Sequence, residues 1–125
     1  DANGQPHVIP VCYAFDGETI YSGLDAKPKI TPLKNLRRVR NILANPLVSL
    51  VVDHYEEDWT QLQYVMVTGE ASLLEPGLES GDEWARSIAM LREKYEQYQG
   101  MDLDESPVIK ITPTRFAPWN FQPEP

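Results

Sequence analysis

Apolar positions recur along this chain with two different periods. In "HVIPVCYAF" (7–15) and "ETIYSG" (18–23) β-branched and aromatic residues crowd at the short spacing of strands. The Asp16-Gly17 turn signal lies between them, and the pair predicts a hairpin. Pro10 has no N–H to give to a ladder, which puts the first run at an edge or a bulge. Further on the period lengthens. Leu33, Leu36, Val39 and Leu43 line one side of a helical turn, and Lys34, Arg37, Arg38 and Asn41 line the other. Thr31 as N-cap with Pro32 at the first helical position opens this helix, and Asn45-Pro46 closes it, because a residue before proline disfavours the α region.

The short period then returns in "VSLVVDHY" (48–55) and "LQYVMVTGEASLL" (62–74), two strands joined by the acidic loop "EEDWTQ". "SGDEWARSIAMLREKYEQYQG" (80–100) is the clearest helix. Ser80 and Glu83 are spaced as a capping box, Trp84, Ile88, Leu91, Tyr95 and Tyr98 recur on one side, and Gly100 stops it. "PVIKITPTRFAPWNF" (107–121) opens as a strand and ends extended among prolines. The order strand, strand, helix, strand, strand, helix, strand lacks regular βα alternation, and no Gly-rich phosphate loop is present. Hairpins with interposed helices predict an α+β, mainly β, antiparallel sheet closed or nearly closed into a barrel. "DANG" is one further turn signal at the start, with only one strand attached to it, so a preceding strand is expected in the natural chain.

Composition narrows the function classes. A chain of 125 residues with 42% apolar and 24% charged residues reads as a single globular domain over 1–125. No apolar run approaches the roughly 18 residues of a membrane span and no signal-peptide pattern opens the chain, so the expected compartment is the cytoplasm with no membrane partner. Cys12 is the only cysteine and the histidines, His7 and His54, are far apart, which leaves no metal-ligand spacing. A formal charge of −8 argues against nucleic acid as a partner.

Within this acidic chain, "LDAKPKITPLKNLRRVRN" (24–41) holds Lys27, Lys29, Lys34, Arg37, Arg38 and Arg40, and no acid after Asp25. Charge runs on helices are usually solvated faces. Solvated faces, however, tend to mix signs for i to i+4 support, and these cations repel one another without an acid among them. A bound anion relieves the repulsion, and the planar fork of arginine suits phosphate or carboxylate oxygens. Elsewhere the ordinary readings prevail. His7 and His54 are expected to be structural, Cys12 a small core residue, the Glu56-Glu57-Asp58 run a solvated loop tip, and Trp59, Trp84 and Trp119 packing residues. No residue combination reads as a catalytic triad or an acid–base pair. An anion-gripping helix without its own catalytic constellation is what a protein needs when a cofactor carries the reaction.

The run "NGQPHVIPVCYAFDGETIY", the basic helix ending "RRVRNILANPLVSLVVD" and the strand "YVMVTGEASLLE" together resemble the pyridoxamine 5′-phosphate oxidase-like split-barrel flavoproteins. "DAKPKITPLKNLRRVRNI" and "DHYEEDWTQL" are similar to the branch of that family that uses the deazaflavin coenzyme F420. The resemblance implies a six-stranded antiparallel split β-barrel with flanking helices, assembled as a homodimer with the cofactor in a groove between subunits. It implies an oxidoreductase that moves hydride or electrons between F420, or alternatively FMN, and a small-molecule substrate; a non-catalytic flavin- or haem-binding protein is the other outcome it allows. By the family pattern, Val8, Ile9, Pro10 and Val11 run beside the ring system and Tyr21 and Ser22 come from the next strand. Arg37, Arg38 and Asn41 approach the phosphate, and Lys27 and Lys29 meet a longer anionic tail. Tyr64 stands where the oxidase proper often has Gln, which argues against pyridoxamine-phosphate chemistry, although an FMN-dependent oxidoreductase of that type is the alternative the resemblance leaves.

Overall fold

The computed structural model describes residues 3–24, 36–77, 79–101, 103 and 106–123. Its elements follow the expected order: β1 (Ala14–Phe15), β2 (Ile20–Gly23), α1 (Arg37–Ala44), β3 (Leu47–His54), β4 (Gln63–Leu74), α2 (Gly81–Lys94) and β5 (Val108–Asn120). The strands form one antiparallel sheet in the order β1-β2-β5-β4-β3, curled in the manner of a split barrel. Five strands are present among the described residues where six are implied by the resemblance.

Alternation along β4 assigns the two faces of the sheet. Val65, Val67, Ala71 and Leu73 pack with Ile20, Ile109 and Ile111 beneath Val39 of α1. Tyr21, Leu74 and Val108 point the other way, into a second cluster with Ile88 and Leu91 of α2 and with Tyr98 and Leu103. The second helix covers only one end of its face. At the other end Val51 pairs with Met66 and Met66 with Ala117, and Val51 and Met66 are both exposed.

The hairpin of β1 and β2 forms in the register Ala14↔Tyr21 and Phe15↔Ile20. Asp16 Oδ1 accepts from the N–H groups of Glu18 and Thr19 at 2.9 and 2.7 Å. Those two backbone donors, Thr19 above all, hold the Asp16 carboxyl below its ordinary value. Gly17 takes φ of 100°, a left-handed conformation that costs glycine nothing.

Six expectations are corrected. The strand expected over 7–15 shrinks to Ala14–Phe15, with 7–13 irregular; Pro10 cannot join a ladder, and Cys12 is exposed instead of in the core. The described part of the basic helix starts at Arg37, because Leu36 is extended (φ −60°, ψ 140°) and turns its side chain into the core; Thr31 and Pro32 lie outside the described residues. Ile42 rather than Leu43 continues the buried stripe from Leu36 and Val39, and Leu43 is 65% exposed. The capping box at Ser80 does not form: Ser80 Oγ donates to the Glu75 carbonyl at 2.8 Å, while Glu83 is engaged by Tyr21 and Lys110. The second helix ends at Lys94, and a separate 3-10 turn, Glu96–Gly100, completes the run.

Strand β5 continues through its prolines for a topological reason. Beyond Ile111 it has only β4 beside it, so Pro113 and Pro118 sit on an edge. A bulge at Thr114 shifts the register between Thr68↔Arg115 and Gly69↔Pro113.

Candidate functional site

The first turn of α1 contains Arg37, Arg38 and Arg40 and no acid. Three guanidinium groups at the positive end of a helix dipole are unfavourable on their own. Packing explains why the helix forms there regardless: Val39 is 1% exposed and anchors it against β4 and β5. With Val39 directed inward, Arg37 and Arg40 project to solvent, while Arg38 and Asn41, three residues apart, share a half-buried flank.

Arg38 carries the informative atom. Its Nε is buried and, among the described residues, has no hydrogen-bond partner. A buried guanidinium N–H left unpaired costs about 1–3 kcal/mol, so it is retained where something else pairs it. The helix N-terminus and the arginine fork are both built for an oxyanion.

The other expected contact residues are distributed unevenly. Ser22, 4% exposed, lies opposite Ile109 on the α1 side of the sheet. Tyr21, its neighbour in the strand, faces the opposite side. There its hydroxyl donates to Glu83 Oε2 at 2.7 Å, and Lys110 Nζ lies 2.9 Å from the same oxygen. Burial, followed by the hydrogen bond to Glu83, raises the Tyr21 hydroxyl above its ordinary value. Lys110, followed by Tyr21, lowers the Glu83 carboxyl. The Tyr21 side chain is thus committed to fastening α2 to the sheet. Val8 and Val11 are exposed and Ile9 half-buried on the irregular segment before β1. Lys27, Lys29 and Lys34 lie outside the described residues.

Two features went unread in the sequence. The exposed end of the α2 face carries Leu47, Val51, Met66 and Trp119, with Tyr64 stacked on Trp119 at 5.4 Å between ring centroids. Their alternation with the buried residues of β3 and β4 was the available signal. A shallow hollow of about 540 Å³ lies between β1 and α2, lined by Tyr13, Ala14, Phe15, Met90, Glu93 and Lys94. It includes none of the arginines of α1, and the chemistry of the donors, not the size of the hollow, marks the site. Trp84 is structural: its indole N–H donates to the Ser106 carbonyl at 2.7 Å. His54 pairs with Glu56 at 2.8 Å on the surface. Among the described residues no group of three or more His, Cys, Asp or Glu side chains is placed to hold a metal, and no helix is long and apolar enough to cross a membrane.

Comparison with known proteins agrees with this architecture. A family model described as pyridoxamine 5′-phosphate oxidase matches residues 1–120. Among solved structures, a conserved hypothetical protein from Mycobacterium tuberculosis superposes with a TM-score of 0.69 at 21% identity, over 94% of this chain and 71% of its own. A FAD-binding protein from Mesorhizobium loti gives 0.67 at 19% identity, over 93% and 78%. A protein from Listeria innocua, described as a candidate pyridoxamine 5′-phosphate oxidase, gives 0.64 at 23% identity, over 94% and 82%. No curated protein matches the chain.

Proposed function

From the chain's membership of the pyridoxamine 5′-phosphate oxidase family, we propose that it is a cofactor-dependent oxidoreductase passing hydride or electrons between a flavin-type cofactor and a small organic substrate. The observation that carries this reading is the buried Nε of Arg38, without a partner among the described residues, on a helix whose first turn holds Arg37, Arg38 and Arg40 and no acid. Arg37, Arg38 and Asn41 would hold the cofactor's phosphate, Ser22 would approach it from β2, and Val8 to Val11 would lie along the ring system. The bound ring supplies the redox chemistry. The chain's own residues would neutralise the phosphate charge and orient the ring.

The deazaflavin F420 is the preferred cofactor on charge grounds. One phosphate is satisfied by Arg37, Arg38 and Asn41, whereas Lys27, Lys29 and Lys34 need a longer anionic tail. FMN is the second reading, favoured by the Nε of Arg38, which has no partner among the described residues and which one phosphate oxygen would satisfy. The FAD-binding neighbour from Mesorhizobium loti supports a flavin-type ligand in general.

Assembly as a two-fold homodimer belongs to the same proposal. The hairpin and the segment before it expose Val8, Val11 and Phe15, and the outer end of β3, β4 and β5 exposes Leu47, Val51, Met66 and Trp119. Apolar surface of that extent is the usual mark of an interface. The functional test is turnover: protein mixed with reduced F420 or FMN and an oxidised acceptor should transfer electrons. Tight binding without transfer would instead make it a storage or sensing protein.

A further inference from the structure

Residues 7–13 reach β1 outside any strand of the sheet as described, yet their last residue is fixed. The Tyr13 main-chain N–H donates to the Tyr95 hydroxyl at 3.1 Å. Lys94 Nζ sits 3.4 Å from the centroid of the Tyr13 ring and 5.2 Å from that of Tyr95. Tyr95 in turn meets Tyr98 edge to face at 5.7 Å. Tyr98 is buried beneath β2, close enough that a Cβ on Gly23 would come within 3.3 Å of its hydroxyl oxygen. A chain of contacts through Lys94, Tyr95 and Tyr98 therefore ties the end of the irregular segment to the junction of β2 and α2.

We infer that Tyr95 and Lys94 are positioning residues: they clasp Tyr13 and so set the direction in which Val8 to Val11 leave the sheet. The consequence for the cofactor rests on the functional reading above, in which that segment runs beside the ring. Three points favour the clasp. A strand normally takes its direction from ladder hydrogen bonds, and here the hydrogen bond from Tyr13 to Tyr95 is long-range in sequence and stands in for one. An ammonium over a tyrosine face is attractive through the ring quadrupole. Pro10 has a fixed φ, which stiffens the stretch that carries the direction from Tyr13 back to Val8.

The test uses the whole chain with Tyr95→Phe, Lys94→Met and Lys94→Arg. Amide exchange at Tyr13 is measured first, without cofactor. Loss of one hydrogen bond should speed it by roughly three- to tenfold in Tyr95→Phe. FMN and F420 are then titrated, with the visible circular dichroism of the bound ring recorded and inorganic phosphate used as a competitor. Tyr95→Phe and Lys94→Met should weaken the better cofactor by about the same factor and alter its dichroism. Inorganic phosphate should bind as before, since the arginines are untouched, and Lys94→Arg should retain wild-type behaviour. Unchanged exchange at Tyr13 would overturn the clasp. Faster exchange with unaltered affinity and dichroism would overturn its role in positioning. Wild-type protein that binds neither cofactor would sink the functional reading and with it the positioning role, while the exchange result would still decide the clasp.

Discussion

The hydroxyl of Tyr21, on β2, donates to the carboxylate of Glu83, on the first turn of α2, at 2.7 Å. Lys110 of β5 reaches the same carboxylate at 2.9 Å, so one acid joins the helix to two adjacent strands. Hydrogen bonds to a charged partner are worth about 1.5–3 kcal/mol. Tyr21→Phe should cost the lower end of that range. Glu83→Ala should cost more, because it removes the partner of Lys110 as well as that of Tyr21. Urea unfolding followed by circular dichroism measures both.

The pH dependence of this cluster has a defined sign. The Glu83 carboxyl lies below its ordinary value of 4.5, chiefly through Lys110 and then Tyr21. Its contribution is therefore complete above that value and is lost as the pH falls through the lower, folded-state one. Wild-type stability should fall more steeply than that of Glu83→Gln on the acid side of pH 4.5. Parallel stability profiles for the two proteins would show that the carboxylate contributes nothing.

Gly69 lies at the β5 bulge, where an added Cβ would come within 2.5 Å of the Thr112 carbonyl oxygen and 3.1 Å of Pro113 Cα. Both are backbone atoms in a paired strand and have little room to give. Gly69→Ala should destabilise the protein by about 2–3 kcal/mol, as overpacking typically does, and thermal unfolding measures it. Gly77 is the comparison: a Cβ there meets nothing within 4 Å, and Gly77→Ala should be near neutral.

Local pattern carried the fold a long way. Element order and both long strands of the sheet follow from alternation and turn chemistry, since residues such as Val67 and Ala71 have to face one core together. Partner choice was not legible in the same way. Ser80 and Glu83 have ideal spacing for a capping box, and nothing local says that Tyr21 and Lys110 take the carboxylate instead. Residues 7–13 have the composition of a strand, but a strand also needs a neighbour to pair with, and composition cannot supply one. At the site, the sequence showed that the basic segment lacks acids. It could not show that Arg38 is half-buried while Arg37 and Arg40 are exposed, because that depends on where Val39 is pulled.

Arg38 should trade stability for binding. Replacing it with Met keeps the apolar stem and removes a buried N–H that has no partner among the described residues. The variant should therefore be as stable as the wild type, or more stable by up to about 1–2 kcal/mol, while binding cofactor more weakly. Thermal unfolding without ligand and a binding titration give the two numbers. A less stable Arg38→Met protein would mean that the guanidinium serves the fold.

The proposed dimer is tested at Met66, which is exposed between Val51 and Ala117 in the middle of the outer face. Wild-type chain should sediment as a dimer, and Met66→Lys should shift it towards a monomer of 14.2 kDa without loss of secondary structure. A wild-type monomer at micromolar concentration would remove the dimer from the account. A dimer untouched by Met66→Lys would move the interface to the hairpin.

The central claim is that the basic helix holds a cofactor phosphate. Its most direct test is a side-by-side titration of F420 and FMN into wild-type protein, Arg37→Glu/Arg38→Glu and Lys27→Ala/Lys29→Ala, at low and at raised salt. The account predicts that the arginine variant folds normally and binds neither cofactor. It predicts that F420 binds the wild type more tightly than FMN, and that the lysine variant loses this preference. F420 binding should also weaken with salt, since partly exposed ion pairs are screened beyond a Debye length of about 8 Å at physiological ionic strength. Tighter FMN binding would transfer the assignment to FMN, and undiminished affinity in the folded arginine variant would contradict the account itself.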